Sequence, residues 1–248
     1  MKIANFDTNE KVFIIAELSA NHSGSLQTAL DTIKAAKRAG ADAIKLQTYT
    51  PDSLTLDSRG EDFMIKGGLW DGANLYELYR QALTPREWHE QLFAAARDEG
   101  LVCFSSPFCN GDADFLEKFN PPAYKIASFE VTDYDFVRYV ALKGKPIIIS
   151  TGIATEQEIA DVVQICKDAG NERIALLKCT SSYPAPLDRM NLLTIADMKR
   201  KFGVEVGFSD HTLGIVAPVV AVSLGARIIE KHFILDKSVR SVDEAFSL

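Results

Sequence analysis

Eight short apolar runs, each stopping at a polar or charged residue, predict an α/β chain closed as a (β/α)8 TIM barrel. Three observations carry that prediction. The runs are continuously apolar and rich in β-branched residues, as in strands buried on both faces. Most follow a glycine-containing turn, as in AGADAIKLQT (39–48), KGKPIIIST (143–151) and LGARIIEKHF (224–233). Amphipathic segments lie between most of them, so the unit is strand then helix, and a chain of 248 residues matches the ~250 such barrels need.

The first strand is expected at 13–18, within KVFIIAELSANH (11–22). A helix follows with Ser25 as its N-cap and Leu26, Ala29, Leu30, Ile33 and Ala36 at helical spacing. After the second strand, 43–48, the connection 49–83 far exceeds the ~2–6 residues usual between strand and helix. Its KGGLWDGANLYELY stretch, rich in glycine and aromatics, makes it a candidate substrate lid. Thr84-Pro85-Arg86-Glu87 then reads as a capping box with proline at the first helical position, ahead of a buried stripe of Trp88, Leu92, Ala95 and Ala96. Strands are expected at 102–107, 123–128 and 146–151. A second capping box, Thr155 to Glu158, opens a helix burying Ile159, Val162, Val163 and Cys166. Strands at 174–180, 204–210 and 227–233 complete the ring. Between the last two, Ile215–Leu224 is apolar nearly all round, the pattern of a helix packed tightly between neighbours. Only DKSVRSVDEAFSL (236–248) follows, with no helix-length apolar pattern. The barrel is therefore expected to be truncated before its eighth helix, with a mobile tail and apolar surface uncovered beside the last strand.

Composition is that of one soluble domain, 1–248, with 47% hydrophobic and 25% charged residues. No apolar run reaches the ~18–20 residues that span a bilayer, and the N-terminus has no apolar signal core. The four cysteines form no C-x-x-C pair, which points to a reducing, cytoplasmic setting. A net charge of −7 argues against nucleic acid or an anionic membrane as partner.

In such a barrel the C-terminal strand ends build the active site. Here they carry Glu17, Lys45, Gln47, Ser106, Lys125, Ser128, Ser150, Ser209, His211 and His232. His211 and His232 end adjacent strands, and two imidazoles with other positions left to water or substrate suit a catalytic divalent metal. Taken singly, each reads equally as a hydrogen-bonded core histidine. Glu17 closes an otherwise apolar run, so it is either ion-paired, with Lys45 for instance, or functional. Lys45 and Gln47 are two apart and share a face. Lys178 and Lys231 read as structural partners, His89 as a surface or packing residue, and His22 as a residue lining the mouth. A Schiff-base aldolase using Lys45 or Lys125 is the metal-free alternative.

The motifs AELSANHSGS (16–25), GADAIKLQT (40–48), FSSPF (104–108), AYKIAS (123–128), ISTGIAT (149–155), CTSSYPAP (179–186), GFSDHTLG (207–214) and EKHFILD (230–236) resemble, in order, those of the sialic-acid synthase family. These phosphoenolpyruvate-dependent nonulosonate synthases condense phosphoenolpyruvate with an amino sugar. KLQTYTPDSLTL and IKGGLWDGANLYELY are most similar to the pseudaminic-acid branch. The resemblance implies a metal-dependent condensation with 2,4-diacetamido-2,4,6-trideoxy-L-altrose that releases phosphate by C–O cleavage. The alternatives are N-acetylneuraminate or legionaminate synthesis, or a catalytically impaired barrel acting as a binding module. It implies a divalent cation on His211 and His232, Mn2+ first and Mg2+ or Co2+ as alternatives, with Glu17 as acid/base group. It assigns Lys45, Ser106, Lys125, Ser128, Ser150 and Ser209 to phosphoenolpyruvate, and Gln47, Tyr183 and Asp243 to the sugar. Trp70 reads as either a contact for an apolar part of the sugar or a packing anchor. Family members form homodimers, and carry a last barrel helix and a C-terminal antifreeze-like domain that contributes an arginine to the partner's site; the motifs of this chain include neither.

Overall fold

The computed structural model describes residues 1–238 and 240–248. Strands β1 (Lys2–Ile3) and β2 (Phe6–Asp7) form a small antiparallel hairpin. Eight parallel strands then close a barrel: β3 (Phe13–Glu17), β4 (Ala43–Thr48), β5 (Val102–Pro107), β6 (Tyr124–Ile126), β7 (Ile147–Ser150), β8 (Ile174–Cys179), β9 (Glu205–Asp210) and β10 (Ile228–His232). Their order around the ring is β10-β3-β4-β5-β6-β7-β8-β9, each strand beside its sequence neighbour. Every expected strand is present, with ends within two residues of the sequence reading.

The helices are α1 (Leu26–Arg38), α2 (Pro51–Leu54), α3 (Leu75–Ala82), α4 (His89–Asp98), α5 (Asn110–Glu117), α6 (Tyr134–Leu142), α7 (Glu156–Asp168), α8 (Thr194–Phe202) and α9 (Val216–Ser223). Ser25 caps α1 as expected, its hydroxyl accepting from Thr28 N at 3.2 Å. The Thr155–Glu158 box forms with both reciprocal bonds. The Thr84–Glu87 box does not. Arg86–Trp88 is instead a 3-10 turn leading into α4, and the Thr84 hydroxyl is buried without a partner. Proline at 85 lacks the N–H of an ordinary first turn, which lets the tighter turn take its place.

Inside the ring, Phe13, Ile15, Phe104, Ile148, Leu177 and Ile228 pack together, and Ile3 from the hairpin seals the N-terminal end. Between strands and helices lies a second apolar layer, including Ile33, Leu92, Val137, Val162 and Ile195. Gly207 on β9 is required by this packing: a Cβ there would stand 2.4 Å from the Ile228 carbonyl oxygen.

Three expectations change. The connection 49–83 contains α2 and α3, the latter capped by Asn74, so it is partly helical and not a bare loop. Helix α9 is not packed tightly between neighbours: Ala217 and Ala221 are buried, whereas Val216 and Val219 are exposed. Its alanines touch the barrel and its valines face outward, so apolar residues on every side do not mean burial on every side. The tail is docked at Leu248 N, which donates to the His232 carbonyl at 2.9 Å, and β10 is buried along its length. Exposed apolar surface therefore lies on α9, not on the last strand. Val239, within the expected mobile tail, lies outside the described residues.

Candidate active site

Strand register decides which side chains meet. His232 on β10 pairs with Glu17 on β3, which pairs in turn with Lys45 on β4, while Gln47 pairs with Ser106 on β5. Alternation along each strand then sends Lys45 and Gln47, or Glu230 and His232, to the same side. A cavity of about 630 Å³ opens at the C-terminal end, lined by Glu17, Lys45, Gln47, Ser106, Lys125, Ser128, Ser150, Tyr183, Ser209, His211, His232 and Asp243. Every residue singled out from sequence for catalysis, substrate or metal thus borders one space. Trp70 borders it as well.

The floor is a buried charge network. Lys45 Nζ lies 2.9 Å from Glu17 Oε1 and 3.0 Å from Glu230 Oε2. Lys125 Nζ lies 3.4 Å from Glu230 Oε1 and donates to Ser150 Oγ at 2.7 Å. Ser209 Oγ donates to Glu230 Oε1 at 3.0 Å. Burial alone would raise the Glu17 carboxyl, but the charges of Lys45, His232 and Lys125 hold it well below the ordinary carboxylate range. Burial opposes the charge on Lys45, yet Glu17 and Glu230 raise it above the usual lysine value. For Lys125 burial dominates and the value falls. The ion-pair and cavity-lining readings of Glu17 therefore hold together. Ser106 Oγ is buried without a partner, and Ser128 Oγ accepts from Gly152 N at 3.2 Å.

Above this floor the ring centroids of His211 and His232 stand 5.4 Å apart. His211 Nδ1 lies 3.1 Å from the Thr180 carbonyl oxygen, so Nδ1 carries the proton and Nε2 keeps a free lone pair. His232 Nε2 is 3.3 Å from Glu17 Oε2, and its Nδ1 is 3.6 Å from Asp243 Oδ2 without forming a hydrogen bond. Burial disfavours charge on His232, but Glu17 and Asp243 outweigh it and raise its basicity. Two close imidazoles, one with a free lone pair, flanked by carboxylates, are a donor set that fits a divalent cation. Among the described residues no three His, Cys, Asp or Glu side chains converge at ligand spacing, so the remaining positions would fall to water or substrate oxygen.

The walls come from loops and tail. The Tyr183 ring lies 4.4 Å from that of His211 and 5.9 Å from that of Trp70. Trp70 Nε1 donates to the Val242 carbonyl at 3.1 Å, tying the 49–83 connection to the tail. Asp243 Oδ2 accepts from Ala20 N at 3.3 Å, and Phe246 packs 4.8 Å behind the His232 ring. Gln47 Nε2 donates to Glu17 Oε1 at 3.2 Å.

Residues set aside in the sequence are placed as follows. Lys178 Nζ donates to the Cys179 carbonyl and to Thr180 Oγ1, and Lys231 Nζ donates to Asp210 Oδ2 at 2.7 Å. Both tie backbone near the site without reaching the cavity. His89 is buried, its Nε2 sitting 2.8 Å from Thr48 Oγ1. His22 does not line the mouth: it is buried, edge-on against Trp88, with Nδ1 accepting from Gly24 N within the turn after β3. Sequence reasoning missed Glu230, Cys179, Glu130 and Phe246, all of which border the cavity. Glu230 had a signal, since it sits two residues before His232 on the same strand face. Glu130 had none, because a 3-10 turn has no face pattern to read.

Comparison with known proteins agrees with the barrel fold. The model of the NeuB family matches residues 32–248. The pseudaminic acid synthase of Campylobacter jejuni is 62% identical over all of this chain, which spans 72% of that protein. The pseudaminic acid synthase of Helicobacter pylori is 50% identical over 95% of this chain and 69% of its own length. The N-acetylneuraminic acid synthetase structure from Leptospira borgpetersenii superposes with a TM-score of 0.89 at 30% identity, covering all of this chain and 82% of that one. On fold and sequence together, the chain belongs to the NeuB family.

Proposed function

We propose that this chain condenses phosphoenolpyruvate with 2,4-diacetamido-2,4,6-trideoxy-L-altrose to give pseudaminic acid and phosphate. One observation supports it above the rest: an imidazole pair 5.4 Å apart stands over a lysine and serine floor within a single cavity. Lys45 and Lys125, with Ser106, Ser128, Ser150 and Ser209, hold the phosphate and carboxylate of phosphoenolpyruvate, charge-assisted bonds being the strong ones. Gln47, Tyr183 and Asp243 border the space above, where the open-chain sugar lies. His211 and His232 would hold a divalent cation, manganese by family resemblance, which supplies electrophilic polarisation of the aldehyde oxygen.

Seated this way, the enol carbon of phosphoenolpyruvate faces the aldehyde carbon and forms the new C–C bond. Water adds at C2, and the C–O bond to phosphate breaks. Glu17, kept ionised by its lysine partner, takes the proton that water loses and returns it to the oxygen that was the aldehyde. The C2 hydroxyl gives its remaining proton to the departing phosphate as the ketone forms, so protons balance without an external base. The names of the 62% and 50% identical relatives support the pseudaminic precursor over N-acetylmannosamine or the legionaminic precursor.

Phosphate release measured with phosphoenolpyruvate and each of the three sugars tests this reading. Turnover should be greatest with the pseudaminic precursor and absent after chelation. Preference for another sugar, or undiminished activity in metal-free protein, contradicts it. By the same resemblance we propose a homodimer, which sedimentation would show as twice the chain mass.

A further inference from the structure

Glu130 opens a 3-10 turn, Glu130–Thr132, just beyond β6, and borders the cavity beside Phe129 and the α3 residues Leu75, Leu78 and Tyr79. In a ring of eight, β6 stands opposite β10, so Glu130 faces the His232 strand from across the mouth. Its environment differs from that of the other carboxyls there. Glu17 and Glu230 are each paired with lysine, whereas Glu130 Oε2 is buried with no hydrogen-bond partner. No cation pairs with Glu130 among the described residues. Burial lifts its carboxyl to about 7 against the opposing pull of its own backbone N–H and Lys125. A buried oxygen left unpaired in the free protein is costly, and a ligand donor would remove that cost.

The ligand group should carry both a hydrogen-bonding centre and an apolar body, because the cavity lining includes Leu75, Leu78 and Phe129 as well as Tyr79, which feels the Glu130 charge. A secondary acetamide has this form, with an N–H and a carbonyl for the carboxyl and a methyl for the leucines. The last torsion of a glutamate side chain is soft, so either oxygen can turn to the cavity. An ionised carboxyl accepts from the amide N–H, and a protonated one donates to its carbonyl. With the aldehyde at the imidazoles, the C2 acetamido group lies beside them. Two carbons farther on, the C4 group would reach Glu130 where the sugar chain runs across the mouth from β10 toward β6.

Resting on the reading under Proposed function, we propose that Glu130 and the adjoining α3 wall form the subsite for the second acetamido group of the sugar. This residue would then determine specificity against hexoses that carry a hydroxyl at C4.

The test is sugar-dependent phosphate release by the parent protein, Glu130→Ala and Glu130→Gln, with the 2,4-diacetamido sugar and its counterpart bearing a C4 hydroxyl. Glu130→Ala should raise KM for the diacetamido sugar by about tenfold to a hundredfold, the range for one hydrogen bond to a charged group. KM for phosphoenolpyruvate should hold, and kcat/KM for the C4-hydroxyl sugar should change much less. Glu130→Gln, which keeps a donor and an acceptor, should lose less than Glu130→Ala. If the alanine variant fails to melt cooperatively, the selectivity ratio of the glutamine variant decides. Equal losses on both sugars, a loss confined to phosphoenolpyruvate, or unchanged selectivity overturns the subsite. A parent protein that does not turn over the diacetamido sugar at all overturns the functional reading instead.

Discussion

Glu17 is a buried carboxylate ending the apolar run FIIAEL, where an unpaired charge would be prohibitive. Its partner Lys45 stays charged through two carboxylates, so removing one leaves the other in place. Glu17→Gln should therefore keep the fold and lower kcat by ~100-fold to 10,000-fold, the usual contribution of a positioned acid or base. Steady-state rates beside a melting curve check both halves. Glu130 gives a pH prediction of opposite sign to that of most carboxylates. Its proton is held to about 7 in the folded chain against 4.5 when exposed, so the folded state binds more protons between those values. Its contribution thus falls as pH rises from 4.5 to 7 and stays lost above. At ~1.36 kcal/mol per pH unit, a carboxyl moved from 4.5 to about 7 amounts to about 3 kcal/mol. Denaturant titrations at pH 5 and pH 8 should show Glu130→Gln gaining on the parent at the higher pH only.

Among the elements, the barrel strands were readable because burial on both faces leaves a short, continuous apolar run that few other structures produce. Less of the rest was visible. The hairpin β1–β2 has two residues per strand, too few for any periodicity, yet its Ile3 seals the barrel floor. Helix α3 was hidden in a glycine-rich connection, and α9 was read as enclosed because its sequence does not reveal which side the barrel takes. Site residues on strands were found by spacing, as with Lys45 and Gln47. Those held by turns and tail contacts, Glu130 and Phe246, depend on three-dimensional closure. At this scale Gly207 is the sharpest test. Gly207→Ala would press a methyl into the Ile228 carbonyl and Leu177, where neither backbone nor packed side chain can yield cheaply. The variant should lose ~1–3 kcal/mol or more, seen as a melting point lower by several degrees.

For the molecule as a whole, net charge and local charge differ in meaning. The chain carries −7, but two buried carboxylates and two buried lysines cancel at the cavity floor. Lys45 is therefore held charged, and both Lys45 and Lys125 are held in place, before any anion arrives, while serine hydroxyls add donors without adding charge. The closed ring makes this possible by bringing residues 17, 45, 125, 211 and 232 around one cavity. The 49–83 connection and the tail, joined at Trp70 and Val242, border it. The most direct test of this arrangement uses phosphoenolpyruvate carrying heavy oxygen in its C–O–P bridge, incubated with the diacetamido sugar and a divalent cation. Carbon–carbon bond formation over the lysine floor, with water adding at C2, sends the label entirely into released phosphate. Label retained in the sugar product, or phosphate release that needs no sugar, would contradict it.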